Sequence, residues 1–250
     1  MARNAACAWN DNLDIDYDRQ VFRCRLRPIA RGAITPLNGY IYAAVLFAIW
    51  VDIVATLPEP TLRYTVPYVL CNVLYPFSKR FTYYTPACIG FTIAIGVFIG
   101  SSVLGVDVVA LRAAGIERES AAIGCLYTAT GTWTVVYEGT YSFQDLTDDL
   151  KAGVMSLAVG HRDHAKQLLS TMASVQVALL LATGYLIGAS PLYYTAACGG
   201  TTLSLTYMLA SVDLKKPEDC WWWFRDGHWF VGTSVTAGFL AEYLNRRYGL

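Results

Sequence analysis

At 250 residues, with 19 Lys+Arg against 19 Asp+Glu, the chain is electrically balanced, 55% hydrophobic and only 15% charged. A soluble domain carries about 25% charged residues, so this sequence lacks the polar surface to cover itself in water and reads as a polytopic membrane protein. The balance excludes a nucleic-acid binder, which needs a concentrated cationic face. The seven scattered cysteines form no CxxC pair and read as small core residues, not a disulfide framework.

In chain order, residues 1–10 are the tail of a helix, and the acid-rich run Asn10-Asp-Asn-Leu-Asp14-Ile-Asp-Tyr-Asp18 follows. An arginine string then runs through Arg23, Arg25, Arg27 and Arg31. Seven apolar stretches come next, near 37–57, 61–76, 85–105, 119–143, 169–188, 192–212 and 229–245. Each approaches the roughly 20 residues that a membrane-crossing helix needs. The second is short, Pro67 predicts a kink in it, and Tyr75-Pro-Phe-Ser-Lys79-Arg80 closes it. Glycines such as Gly90 and Gly131 permit close helix contact. A second acid-rich run, Gln144-Asp145-Leu-Thr-Asp148-Asp149, follows the fourth stretch. Trp221, Trp222, Trp223 and Trp229 gather before the last one, as an interfacial aromatic belt would.

Helix parity adds a topological expectation. If every stretch crosses once, residues 1–36, 76–84, 144–168 and 213–228 share one membrane face, which then holds 14 of the 19 Lys+Arg. The positive-inside rule puts that face in the cytosol. Both acidic runs fall on it, although they lie far apart in the chain.

Asn10, Asp14 and Asp18 recur every four residues, so on a helix they form one oxygen-bearing stripe. Like charges at that spacing repel, so cations are expected among them. Asp145 and Asp149 repeat the spacing. Hard oxygens without His or Cys suit Mg²⁺, which keeps several waters and bridges to substrate phosphates. A diphosphate also needs charge-assisted donors for its remaining oxygens, which Arg and Lys supply. The plainer alternative makes each run a solvated loop and the arginines membrane anchors, as Arg25 and Arg31 read. Asp52, near the far end of the first stretch, fits an interface residue as well as a functional one. His161-x-x-His164 lacks a third ligand for a metal.

At these residues the chain resembles the UbiA superfamily of intramembrane prenyltransferases. The family's Asn-Asp-x-x-Asp-x-x-x-Asp stands here as Asn10, Asp11, Asp14 and Asp18. Its Arg-Pro-x-x-x-Gly stands as Arg27 to Gly32, its Tyr-x-x-x-Lys as Tyr75 and Lys79, and its second Asp-x-x-x-Asp as Asp145 and Asp149. The Asp18-Arg-Gln run and the Cys220-Trp-Trp-Trp-Phe tail look closest to fungal members of meroterpenoid pathways.

The resemblance implies an all-α integral membrane bundle around a central cavity, a single domain over residues 1–250. About seven of an expected nine helices are present, so the chain reads as N-terminally short by one to two helices. It implies Asn10, Asp14, Asp18, Asp145 and Asp149 as ligands of Mg²⁺ and diphosphate. Arg23, Arg27, Tyr75 and Lys79 match residues that contact phosphate, and Asn10 matches one at the substrate as well. It implies transfer of a farnesyl or geranylgeranyl group from its diphosphate to an aromatic or pyrone acceptor, in an endomembrane such as the endoplasmic reticulum. No nucleic acid and no obligate protein partner is expected. Glu138, seven residues before Asp145, departs from the Asp usual there. Three rivals stay open: a terpene cyclase using the same cation, an inactive fragment, and a transporter. A transporter would place its ionisable groups at the membrane midplane instead of at one interface.

Overall fold

The computed structural model describes residues 1–249, whose regular structure is all helical with no strand among them. The elements are α1 (Ala2–Leu13), α2 (Ile15–Asp18), α3 (Pro36–Ala55), α4 (Glu59–Ser78), α5 (Thr85–Val103), α6 (Val108–Ala113) and α7 (Glu117–Tyr141). A 3₁₀ turn (Ser142–Asp145) then leads into α8 (Leu146–Ala152), α9 (Leu157–His161) and α10 (Ala165–Ile187). The chain closes with α11 (Pro191–Tyr193), α12 (Gly200–Ser211), α13 (Pro217–Trp222) and α14 (His228–Tyr248).

All seven apolar stretches are helices. Three of them, α3, α5 and α10, are long and apolar enough to cross a membrane by length and composition alone. α7 is longer, at 25 residues, but rich in Thr and Gly. Its threonines return their hydroxyl protons to the helix's own carbonyls, as Thr128 does to Gly124 at 2.9 Å and Thr140 to Val136 at 2.8 Å. This back-bonding hides polarity that a hydropathy average counts in full.

Packing follows chain order around α7, which lies between α5 and α10. α4 packs on α5, α1 on α3, and α14 on α12. The α5–α7 approach is close: a Cβ on Gly90 would stand 2.7 Å from the Gly131 carbonyl oxygen. Small residues there let two backbones meet where lipid supplies no hydrophobic drive. One core joins Val136, Ala173, Leu205, Val212 and Val231. The outer faces of α3 and α4 expose Leu37, Ile41, Val45, Val66 and Leu70, as lipid-facing surfaces do.

The structure corrects four sequence expectations. The second stretch is not short: α4 runs 20 residues and carries both Pro67 and Pro76 within it. The last helical stretch does not begin near 229: α13 continues through a π turn (Trp223–Gly227) into α14. Trp223 does not belong to an interfacial belt; it is 5% exposed and packs in the core beside Val136 and Val231, over Gly227. The acid stripe is jointed, since α1 stops at Asp14 (φ −105°, ψ 11°) and α2 resumes one residue later.

Candidate active site

Four short pieces of chain meet at one end of the bundle. α1 and α2 bring the first acidic run, and residues 19–34 wrap back over it in tight turns. α4 delivers Lys79 as its C-cap. The 3₁₀ turn after α7 and α8 bring the second run, and α8 stops at Gly153 in the left-handed conformation (φ +67°) that glycine adopts without strain. The turn after Gly153 is tied down because the Met155 N–H donates to the Lys79 carbonyl at 3.0 Å. The Phe22 N–H donates to Asp148 at 2.8 Å, fastening the arginine loop to α8.

These pieces enclose a cavity of about 210 Å³. Asn10, Asp18, Arg23, Arg27, Tyr75, Lys79, Asp145 and Asp149 all line it, with Tyr17, Cys24, Glu138, Tyr141 and Ser156 among the other lining residues. Asp14 stands behind this wall, 0% exposed, with Lys79 donating to its Oδ2. The two acidic runs therefore share one chamber.

Acids and bases interlock there. Arg23 donates to both oxygens of Asp145, at 2.7 and 3.3 Å, a fork geometry that only guanidinium provides. Arg27 donates to Asp11 at 2.8 Å and to Asp18 at 3.0 Å. The cations demanded by like-charge repulsion along the first run are thus in place. Arg25 and Arg31, read as anchors, are exposed.

Burial dominates the electrostatics of the two less supported acids. Desolvation pushes the Asp18 carboxyl up to about 6 despite Arg27 and Lys79 nearby. It pushes Asp149 up to about 6 as well, although the Ser156 hydroxyl and the charges of Lys79 and Arg23 work the other way. The guanidinium of Arg27 is held further above its ordinary value chiefly by Asp18 acting against burial.

Three buried oxygens in the first run have no partner, Asn10 Oδ1, Asn12 Oδ1 and Asp14 Oδ1. Buried acceptors are normally satisfied, and a hard cation is the partner that suits amide and carboxylate oxygens together. Among the described residues no three His, Cys, Asp or Glu side chains form a cation cage by themselves. That donor set matches Mg²⁺ bound through few carboxylates plus water and substrate phosphate, so the residues fit the ion. The His161 ring lies tilted against Tyr84, 4.9 Å between centroids, and Asp52 is exposed on α3, so neither joins the chamber.

Sequence reading missed Ser156 and Tyr141. Ser156 caps α9 by accepting from Val159 N–H at 3.4 Å, and its position after Gly153 was the available signal. Tyr141 lies under Arg23, with the guanidinium 5.0 Å from its ring, and stacks on Phe224 at 4.0 Å. No local pattern announces that pairing.

Comparison with known proteins agrees with this arrangement. Residues 1–233 match the UbiA prenyltransferase family. The prenyltransferase stbC of Stachybotrys bisbyi is 30% identical over 98% of this chain and 72% of its own length. The 4-hydroxybenzoate geranyltransferase 2 of Lithospermum erythrorhizon is 32% identical over 96% of this chain and 74% of its own. The apo structure of a UbiA homolog from Aeropyrum pernix K1 superposes with a TM-score of 0.76 at 22% identity, covering 97% of this chain and 86% of that one. With a helical membrane bundle, a chamber built from both acidic runs and a family match over nearly the whole chain, this protein belongs to the UbiA prenyltransferase family.

Proposed function

We propose that the chain is a Mg²⁺-dependent prenyltransferase that moves a farnesyl or geranylgeranyl group from its diphosphate to an aromatic or pyrone acceptor, as in fungal meroterpenoid synthesis. The observation that carries this reading is the chamber itself: the acids of two runs, each held by a cation, beside buried carboxylate and amide oxygens that lack partners. Asn10, Asp14, Asp18, Asp145 and Asp149 would hold the metal. Bound there, Mg²⁺ would offset the negative charge that develops on departing diphosphate. Binding exchanges partners: carboxylates turn to the metal, while Arg23, Arg27 and Lys79 turn to phosphate oxygens as charge-assisted donors. Tyr75 and Tyr141 line the same space, where aromatic rings can favour a nearby cation. We place the acid-rich face in the cytosol, on the excess of Lys+Arg that parity gives that side, and the protein in the endoplasmic reticulum, on its likeness to fungal meroterpenoid-pathway members.

The test incubates membranes containing the protein with farnesyl or geranylgeranyl diphosphate, Mg²⁺ and a panel of phenols and pyrones, with products identified by mass. A prenylated acceptor that disappears with EDTA, and with Asp14→Ala or Asp145→Ala, is the expected result. Cyclic hydrocarbon formed without any acceptor would replace transfer by cyclisation.

A further inference from the structure

Glu138 lines the chamber as a carboxylate that no cation engages among the described residues. Asp18 is engaged by Arg27, Asp145 by Arg23, and Asp149 has the Ser156 hydroxyl beside it. Glu138 makes neither a hydrogen bond nor an ion pair among the described residues; Arg3 and Arg23 reach it only through space.

Its position is specific. Glu138, Tyr141 and Asp145 all line the chamber, at i, i+3 and i+7. Glu138 and Tyr141 lie one turn apart at the end of α7, and Asp145 follows at the end of the 3₁₀ turn, beyond the helix. α7 rises toward the acid-rich end, so Glu138 lies deeper than Asp145. A prenyl diphosphate whose phosphates sit level with Arg23 and Asp145 points its ester carbon inward, toward Glu138. Tyr141, which lines the chamber one turn from Glu138, supplies an aromatic side chain there, and such side chains pack well against a flat acceptor ring.

Resting on the transferase reading above, we infer that Glu138 is the general base that takes the proton from the acceptor carbon after prenyl transfer. The C1–O bond of the prenyl diphosphate breaks, and its electron pair leaves with the diphosphate. A π pair of the acceptor ring forms the new C–C bond to C1, leaving the ring as an arenium cation. The C–H pair at that carbon returns to the ring, and the proton passes to a Glu138 oxygen. From there it leaves with the diphosphate or to water. The paired acids are engaged by cations throughout, and neutral tyrosine hydroxyls are poor bases at neutral pH. A carboxylate with free lone pairs within reach of the reacting carbon meets the geometric requirement on a base.

The test compares wild type, Glu138→Gln and Glu138→Asp with farnesyl diphosphate, Mg²⁺ and a phenol that the wild type prenylates, in ring-protiated and ring-deuterated forms. Glu138→Gln keeps the shape and removes the basicity. It should lower kcat by about 10²-fold or more, with KM for the diphosphate little changed. Deuterium on the ring should then slow product formation in the variant and not in the wild type, because proton removal has become the slow step. Trapped cations should divert to water, so that farnesol replaces prenylated phenol. Glu138→Asp, which keeps a carboxylate, should recover part of the rate. Equal rates, no isotope effect and an unchanged product ratio in Glu138→Gln would overturn the assignment while leaving the transferase reading intact. A wild type that prenylates no phenol would overturn both. Should Glu138→Gln unfold, a Glu138→Ala variant with neither rate loss nor isotope effect would overturn the assignment by itself.

Discussion

Asp18 and Asp149 are 5% and 7% exposed, and burial holds both carboxyls near 6. A carboxyl whose folded value lies above its unfolded one binds more protons in the folded state between about pH 4 and 6. The folded state therefore loses stability as pH rises through 6. At pH 8, ionised Asp149 costs the metal-free protein about 3 kcal/mol. Asp149→Asn should then raise the melting temperature of metal-free protein in detergent at pH 8 and change it little at pH 4. An equal effect at both pH values would remove ionisation as the cause. Retaining a carboxylate at this cost is the stability–activity conflict expected of a functional site.

Asp14 illustrates the opposite case. Its carboxylate is fully buried and Lys79 is its cation. Lys79→Met would leave that charge unpaired, which costs about 3–5 kcal/mol when one partner of a buried pair is removed. The double variant Lys79→Met/Asp14→Asn should recover most of the loss, as thermal unfolding of the three proteins would show. If the double variant is as unstable as Lys79→Met, the pair is not what holds this corner.

At the scale of elements, α4 works as a two-ended strut. Its inner end delivers Tyr75 and Lys79 to the chamber. Its outer end is fastened to the loop before α6: the Tyr64 hydroxyl donates to Asp107 at 2.5 Å, and Arg63 donates to the other Asp107 oxygen at 3.3 Å. The Tyr64 hydroxyl holds the Asp107 carboxyl below its ordinary value, so this fastening is present above about pH 4 and lost as pH falls below it. Tyr64→Phe removes a hydrogen bond to a charged group, worth about 1.5–3 kcal/mol. Stability should fall by that order at pH 7 while KM for the prenyl diphosphate is unchanged, because Tyr64 is 15 residues, or about 22 Å of helix, from Lys79. A raised KM would mean that the outer end sets the chamber's geometry.

For the molecule as a whole, the two acidic runs must face one compartment, since Arg23 on one grips Asp145 on the other across 122 residues of sequence. The loop around α6 lies on the opposite face by parity. In a Cys7→Ser background, Arg162→Cys should react with an impermeant thiol reagent from the cytosolic side of sealed vesicles and Arg112→Cys from the other. Labelling of both from one side would break the parity count.

Sequence alone determined the seven helices, because hydropathy accumulates along the chain whatever packs against it. It also determined the residues of both acidic runs, because carboxylates spaced by four are a local pattern tied to the helical repeat. α4 was misjudged in length because two prolines disguise a continuous helix, and Trp223 was misplaced because aromatic clustering looks alike in a belt and in a core. Tertiary structure alone decided which arginine holds which acid, that Asp14 lies behind Lys79, and that Glu138 is left without a partner in the chamber. Those relations join segments more than sixty residues apart in most cases, and they depend on which helix faces meet. No pattern of nearby residues encodes that choice, since it is made by the packing of α1, α4 and α7 together.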